Sequence, residues 1–263
     1  MKALSKSYPT NLTNKQWQLL EPLIPKAKAG GRRRTVDMRA ILNGIFYILV
    51  SGCAWRMLPG DLPPYKTVYH YFRQWRIEGV WQVLNDRLRR MVRLKAGQHP
   101  SPSAAILDSQ TCRLASMVSE AVGYAAAKRT KGRKLHLLVD TLGLVLLAVV
   151  TAANVPERDG ARLVFATIRG RFPRLLWIWA DGGYGGAEFT LWVMQTYHWM
   201  LRVVRRPEEA KGFVKLPVRW RVERTFGWLN WCRRFSKDYE ALPETHEALV
   251  YAAMVRLMVR RLA

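Results

Sequence analysis

The chain has 263 residues, 49% of them hydrophobic, which suits two domains or one domain with an elaborate flank and excludes wholesale disorder. Lys and Arg number 43 against 19 Asp and Glu, a formal charge of +24 that repels itself unless a polyanion is near. An anionic membrane is the poorer partner. A span needs ~20 apolar residues, whereas the longest run, "AILNGIFYILVSGCAW", is shorter, carries Asn43 and Gly44, and has Arg39 and Arg56 close by. Nucleic acid is the expected partner.

Three cysteines, Cys53, Cys112 and Cys232, lie scattered without CxxC spacing, so neither a disulfide framework nor a zinc ribbon is expected. Together with an N-terminus that lacks the apolar core of a secretory signal, this points to a reducing cytosol. In "NLTNKQWQLLEPLIP", Thr13 is a candidate N-cap, Trp17, Leu20 and Leu23 follow at helical spacing, and Pro25 stops the run. The loop "KAKAGGRRRT" sets Arg32, Arg33 and Arg34 beside paired glycines, where phosphate contact and a solvated loop are equally good readings.

Helical spacing resumes over Val36–Cys53, breaks at "MLPGDLPPYK" and returns in "KTVYHYFRQWRIEGVWQVLNDRLRRMV". Val68, Tyr71, Phe72 and Trp75 form an apolar face. Lys66, Thr67, His70, Arg73 and Gln74 lie opposite, a polar and basic face compatible with a helix-turn-helix or with a plain helical bundle. Lys95–Ala104, "KAGQHPSPSA", reads as a linker, so residues 1–97 form an all-α, helix-turn-helix-like DNA-binding domain and residues 98–263 a second domain.

After the linker the order is strand, strand, strand, helix, strand, helix, strand, helix, with "DTLG" turning a hairpin. That implies an α/β fold, a mixed sheet covered by helices. Asp108 ends the first strand of this series, and Asp181 ends the fourth, in "WIWADGGYGG", where the glycines keep bulk from the carboxylate. Acids at neighbouring strand ends repel unless a cation sits between them, and their hard oxygens suit Mg²⁺ or Mn²⁺. Glu223, on the last predicted helix among Arg219, Arg221 and Arg224, is the third candidate, its bland alternative being a surface ion pair. Three carboxylates and a large positive charge point to phosphodiester chemistry with two divalent ions. Lys128, Arg129, Lys131, Arg133 and Lys134 precede a strand and are expected to grip the DNA backbone. His136 is expected to be structural, and Asp140 and Asp159 to be turn or cap residues, with Asp159 in reserve should Glu223 fail.

Together "ILDSQT", "KGRKLHLLVDTLGL", "WADGGYGG", "RWRVERTFGWLNWCRRFSKDYE" and "ALVYAAMVRLMVRRL" resemble an IS5-type bacterial insertion-sequence transposase, and "GCAWRMLPGDLPPYKTVYHYFRQW" resembles the helical region before its catalytic domain. The resemblance runs from about Leu12 to the C-terminus. It implies a ribonuclease-H-like DDE catalytic domain, with Asp108, Asp181 and Glu223 as the triad that binds two Mg²⁺ or Mn²⁺ ions. It also implies transposon-end and target DNA as partners, a homodimer or larger assembly on DNA, and a place at the bacterial nucleoid. Arg219 matches an arginine that the related signature places four positions before the glutamate, and Arg224 follows the Glu. The signature's tyrosine and lysine positions hold Leu216 and Asn230 here, with Lys237 further along. A non-cutting regulator of transposase descent and another ribonuclease-H-like nuclease or resolvase are the alternative functions.

Overall fold

A computed structural model describes residues 7–27, 34–115, 119–204 and 218–263. Arg32, Arg33 and Leu216 therefore lie outside the described residues. The first helix, α1 (Asn14–Leu20), begins where Thr13 and Gln16 cap one another reciprocally, a capping box that satisfies two otherwise orphaned N–H groups. Next come α2 (Met38–Ser51), α3 (Tyr65–Ile77) and α4 (Val80–Lys95). The break at "MLPGDLPPYK" is real. The whole connection from α2 to α3, residues 52–64, is longer than the three or four residues of a tight helix-turn-helix. The aromatics of α3 are mostly structural: Phe72 and Trp75 are buried, and both pack against Trp81 of α4.

Among the described residues six strands follow: β1 (Ala104–Arg113), β2 (Gly123–Ala125), β3 (Thr130–Asp140), β4 (Val145–Ala152), β5 (Trp177–Ala180) and β6 (Met200–Val203). Between and after them lie α5 (Glu157–Ile168), α6 (Ala187–Tyr197), α7 (Trp220–Asn230) and α8 (Pro243–Leu262). The sheet order is β2–β3–β1–β5–β6, with β4 also paired to β3. β3 is antiparallel to β1 and β4, whereas β5 and β6 run parallel to β1. This is the predicted mixed sheet, and a hairpin feeding a parallel half flanked by helices is the ribonuclease-H-like arrangement.

Strand alternation sends side chains into two layers. Ala105, Leu107 and Leu138 pack with α5 and α6. Ile106, Leu137 and Val139 pack on the other face with α7, α8 and the N-terminal helices, in one cluster that includes Ile45, Phe72 and Leu88. The helices before residue 97 thus share a core with the sheet instead of keeping one of their own, and α8 lies between them and β4.

Candidate active site

β1 carries the first acid. Asp108 does not end this strand, as expected, but stands in its middle, opposite Leu137 of β3. The difference has a simple cause. β1 pairs with β5 only as far as Ile106 opposite Trp179, then runs on against β3 alone. Asp108 is two residues past that last parallel pair, and Asp181 is two residues past it on β5, so the shared register brings the carboxylates level at the point where the strands part. The Asp181 side chain accepts from Gly183 N at 2.9 Å. A Cβ on Gly183 would lie 3.2 Å from the Asp181 carboxylate, whereas one on Gly182 would meet nothing within 4 Å, so only the second glycine answers to local crowding.

Glu223 is in the first turn of α7. The hairpin turn between β3 and β4 fixes that helix. Arg224 donates to Leu142 O at 2.9 Å and Thr225 to Gly143 O at 2.7 Å, while the Asp140 carboxylate holds the turn through Leu142 N and Leu144 N. Arg93 of α4 pairs with the same Asp140 at 2.8 Å. The neighbours of Glu223 are therefore anchored, and its own side chain remains part-exposed beside the sheet.

A single atom marks the convergence. Arg219 Nη2 stands 3.5 Å from Asp108 Oδ2, 3.8 Å from Asp181 Oδ2 and 3.9 Å from Glu223 Oε1. Acids from three distant segments are gathered around one guanidinium, which supplies part of the positive charge that their mutual repulsion requires. Burial pushes the Asp108 carboxyl up to about 6, against the opposing pull of Arg219 and the Ser109 N–H, and Asp181 adds to the rise. A carboxyl so placed favours a nearby cation.

The donor set, three carboxylates with hard oxygens, suits Mg²⁺ or Mn²⁺. Among the described residues no three such side chains stand close enough together to hold an ion, because they ring a guanidinium and do not close on a point.

Behind Asp108 and Asp181 lies a polar layer that the sequence reading did not single out. Tyr184 is fully buried, with its hydroxyl near the Ser109 side chain of β1. Burial, opposed by Ser109 and reinforced by the charges of Asp108, Asp181 and Glu157, strongly raises its pKa, so it stays protonated. Glu157, at the start of α5, accepts from Lys134 at 2.9 Å, and its aliphatic stem abuts the Gly183 turn. The tyrosine inside "ADGGYGG" was the available signal. Asp159, the reserve acid, is exposed on α5 and faces Arg162 at 4.0 Å.

The model of the "Transposase DDE domain" matches residues 99–258, more than half of the chain, and that of the "Putative transposase of IS4/5 family" matches residues 12–85. The chain belongs to the insertion-sequence DDE transposase family. An "Insertion element IS402 uncharacterized 16.2 kDa protein" of Burkholderia cepacia is 34% identical over 103 residues, 37% of this chain and 69% of that protein. A "Putative transposase for insertion sequence element IS402" of the same organism is 31% identical over 130 residues, 45% of this chain and 59% of that protein, so the chain spans under two thirds of it.

The basic residues divide. Lys66, His70 and Arg73 are exposed on α3, with Thr67 half-buried beside them. Lys128, Arg129 and Lys131 are exposed, and Arg129 and Lys131 join Arg113 and Tyr124 around an open cavity of about 900 Å³. Arg34 donates to Pro25 O. Arg133 and Lys134 overturn the expectation of a DNA grip. Arg133 is wholly buried and spends its guanidinium on Asp238 and on the carbonyls of Glu120, Glu240 and Ala241. Lys134 is buried on the opposite face, on Val155 O and Glu157. Both lie inside a central strand covered on each side, where a charge persists only if paired.

Proposed function

We propose that this chain is the transposase of its own insertion sequence: it binds the terminal inverted repeats, cuts DNA there, and joins the released ends to target DNA. The observation that carries the reading is the approach of Asp108, Asp181 and Glu223 to one guanidinium nitrogen. These three side chains would hold two Mg²⁺ or Mn²⁺ ions, which when bound supply an activated nucleophile and charge stabilisation at the leaving oxygen.

The protein's own part is positional. Asp108 is fixed by the sheet and by the Ser109 N–H, Asp181 by Gly183 N, and Glu223 by the anchoring of α7 on the hairpin turn. Arg219 leaves the carboxylates for a DNA phosphate, so that substrate arrival frees the acids. Water attacks one phosphodiester at the element's end and releases a 3′-hydroxyl. That hydroxyl then attacks a phosphodiester of the target, one P–O bond forming as one breaks, with no covalent bond to protein. Arg32, Arg33, Arg34 and the outer face of α3 (Lys66, Thr67, His70, Arg73) serve the repeats, while Lys128, Arg129, Lys131 and Arg224 hold backbone phosphates near the cut. Residues 1–97 are the end-binding region and residues 98–263 the catalytic one. Two ends must be paired, so a dimer or larger assembly forms on DNA, in the cytoplasm at the nucleoid.

The test is cleavage and joining of an end-bearing duplex with Mg²⁺. Asp108→Ala and Asp181→Asn are expected to abolish both products while duplex binding without metal persists. Wild-type cleavage by either variant would refute the assignment. Cleavage without a joined product would indicate a nuclease, and binding without cutting by the unaltered protein a regulator.

A further inference from the structure

Arg219 and Glu223 use one stripe of α7. The adjacent stripe, Trp220, Arg224 and Trp228, does something different. Arg224 is sandwiched between the two indoles at 4.5 Å from each ring, and Arg261 of α8 covers Trp228 at 4.3 Å. Indole and guanidinium alternate in a continuous stack from the catalytic helix to the end of α8. Each guanidinium is held by the negative face of the ring beside it, so the stack forms a continuous floor.

Just beyond it the chain leaves α7 at Trp231. This indole is 76% exposed, the most exposed large hydrophobic side chain among the described residues. No described ring or guanidinium stacks on it. It borders a groove of about 220 Å³ whose lining includes Trp228, Leu257, Arg256, Arg260 and Arg261, with three arginines and no carboxylate among the lining residues. Burial depresses both Arg256 and Arg261, with Arg260 adding to the fall at the first and Arg224 at the second, where Asp140 pulls the other way.

A bare indole in a groove lined by three arginines and no carboxylate calls for an anionic ligand that also offers an aromatic face. Duplex DNA has the charge, but its bases are already stacked on one another. A second copy of the chain would set these arginines against themselves in a two-fold contact. Single-stranded DNA has both properties: phosphates for the arginines and a free π-face for the indole. Following the helical rise of ~1.5 Å per residue, Trp231 lies about 12 Å along α7 from Glu223, within reach of a strand unpaired next to the cut.

We infer that the groove between the end of α7 and the end of α8 binds single-stranded DNA, with an unpaired base stacked on Trp231 and its flanking phosphates on Arg256 and Arg260. This rests on the proposal that the partner is DNA. The experiment is fluorescence anisotropy with a labelled oligothymidylate of about ten nucleotides, a length within the usual span of such sites, and in parallel with an end-bearing duplex. Trp231→Ala is expected to weaken the oligothymidylate roughly tenfold or more while changing the duplex less than about twofold, and Trp231→Phe to recover most of the loss. Arg260→Ala is expected to weaken the same probe and to flatten its salt dependence. Trp231 is exposed, so these variants fold. Equal loss on both probes, or no loss on the single strand, overturns the inference and leaves the transposase reading intact. Failure of the unaltered protein to bind either probe overturns both. A change of sedimenting species in Trp231→Ala, with unchanged affinity for the oligothymidylate, assigns the groove to a second copy and overturns it as well.

Discussion

Arg219 and His136 illustrate how differently a polar side chain behaves in front of the sheet and inside it. Arg219 stands among three acids that repel one another and is held by none of them closely, at 3.5–3.9 Å. His136, within β3, is wholly buried, with Nε2 3.0 Å from Thr151 Oγ1. Burial, reinforced by Lys134, lowers its pKa to about 4, so the ring is neutral, as the structural reading from its apolar flanks implied. What the sequence did not reveal is how the ring fits. α5 crosses directly over it at Gly160, where a Cβ would fall 2.0 Å from the imidazole. Gly160→Ala is therefore expected to cost about 1–3 kcal/mol or more of stability. Urea melts would show the loss, and trimming the ring in a Gly160→Ala/His136→Ala double variant should recover part of it; a Gly160→Ala melt equal to the parent would show the helix free to lift. The acids at the ends of apolar runs were legible because a charge there has few other uses. The basic run at 128–134 misled in part because sequence spacing does not show which side of a strand is covered. Lys128, Arg129 and Lys131 come before the buried stretch, and Arg133 and Lys134 fall within it.

At the scale of elements, α8 closes the sheet. Among the described residues β4 pairs only with β3, which leaves one row of its backbone N–H groups without a described strand partner. Side chains one turn apart on α8 take up two of them: Glu247 accepts from Val150 N at 2.8 Å and Tyr251 OH from Ala148 N at 3.0 Å. Asn85 of α4 donates to Val145 O on the same strand. The exposed edge that invites aggregation in open sheets is thus covered by helices. Burial raises Glu247 to about 7, against the Val150 hydrogen bond, so the folded protein binds this proton more tightly than the unfolded chain. The sign follows by linkage: stability from this group is full below its ordinary value near 4.5 and falls as pH rises towards 7, by on the order of 2 kcal/mol. Melts across that window should slope downward in the parent and flatten in Glu247→Gln; an unchanged slope would show that Glu247 is not the titrating group. The sequence pattern did not foretell this helix as an element. Ala248 to Val255 are buried without interruption, so no polar face marks a helical period there. The hairpin at "DTLG", by contrast, was readable from its turn residues, and β3 and β4 pair antiparallel around it.

Over the whole molecule, the linker seen in the sequence joins parts that fold together. Ile45, Phe72 and Leu88 from before it share one cluster with Ile106, Leu137 and Val255 from after it. Composition changes at residues 95–104, but composition does not say what the apolar faces on either side will cover, and α8 supplies the surface both need. The same long-range folding brings residues 108, 181 and 223 to one place. The most direct measurement of that convergence is polypeptide cleavage, on the end-bearing duplex, by Fe²⁺ put in place of Mg²⁺, with ascorbate and peroxide, the cut positions being mapped by mass spectrometry. Backbone cuts should cluster around Asp108, Asp181 and Glu223 together, and all three clusters should vanish in Asp108→Ala. Cuts confined to one of these segments, or spread without relation to them, would contradict a shared metal site and with it the catalytic role given to the three acids.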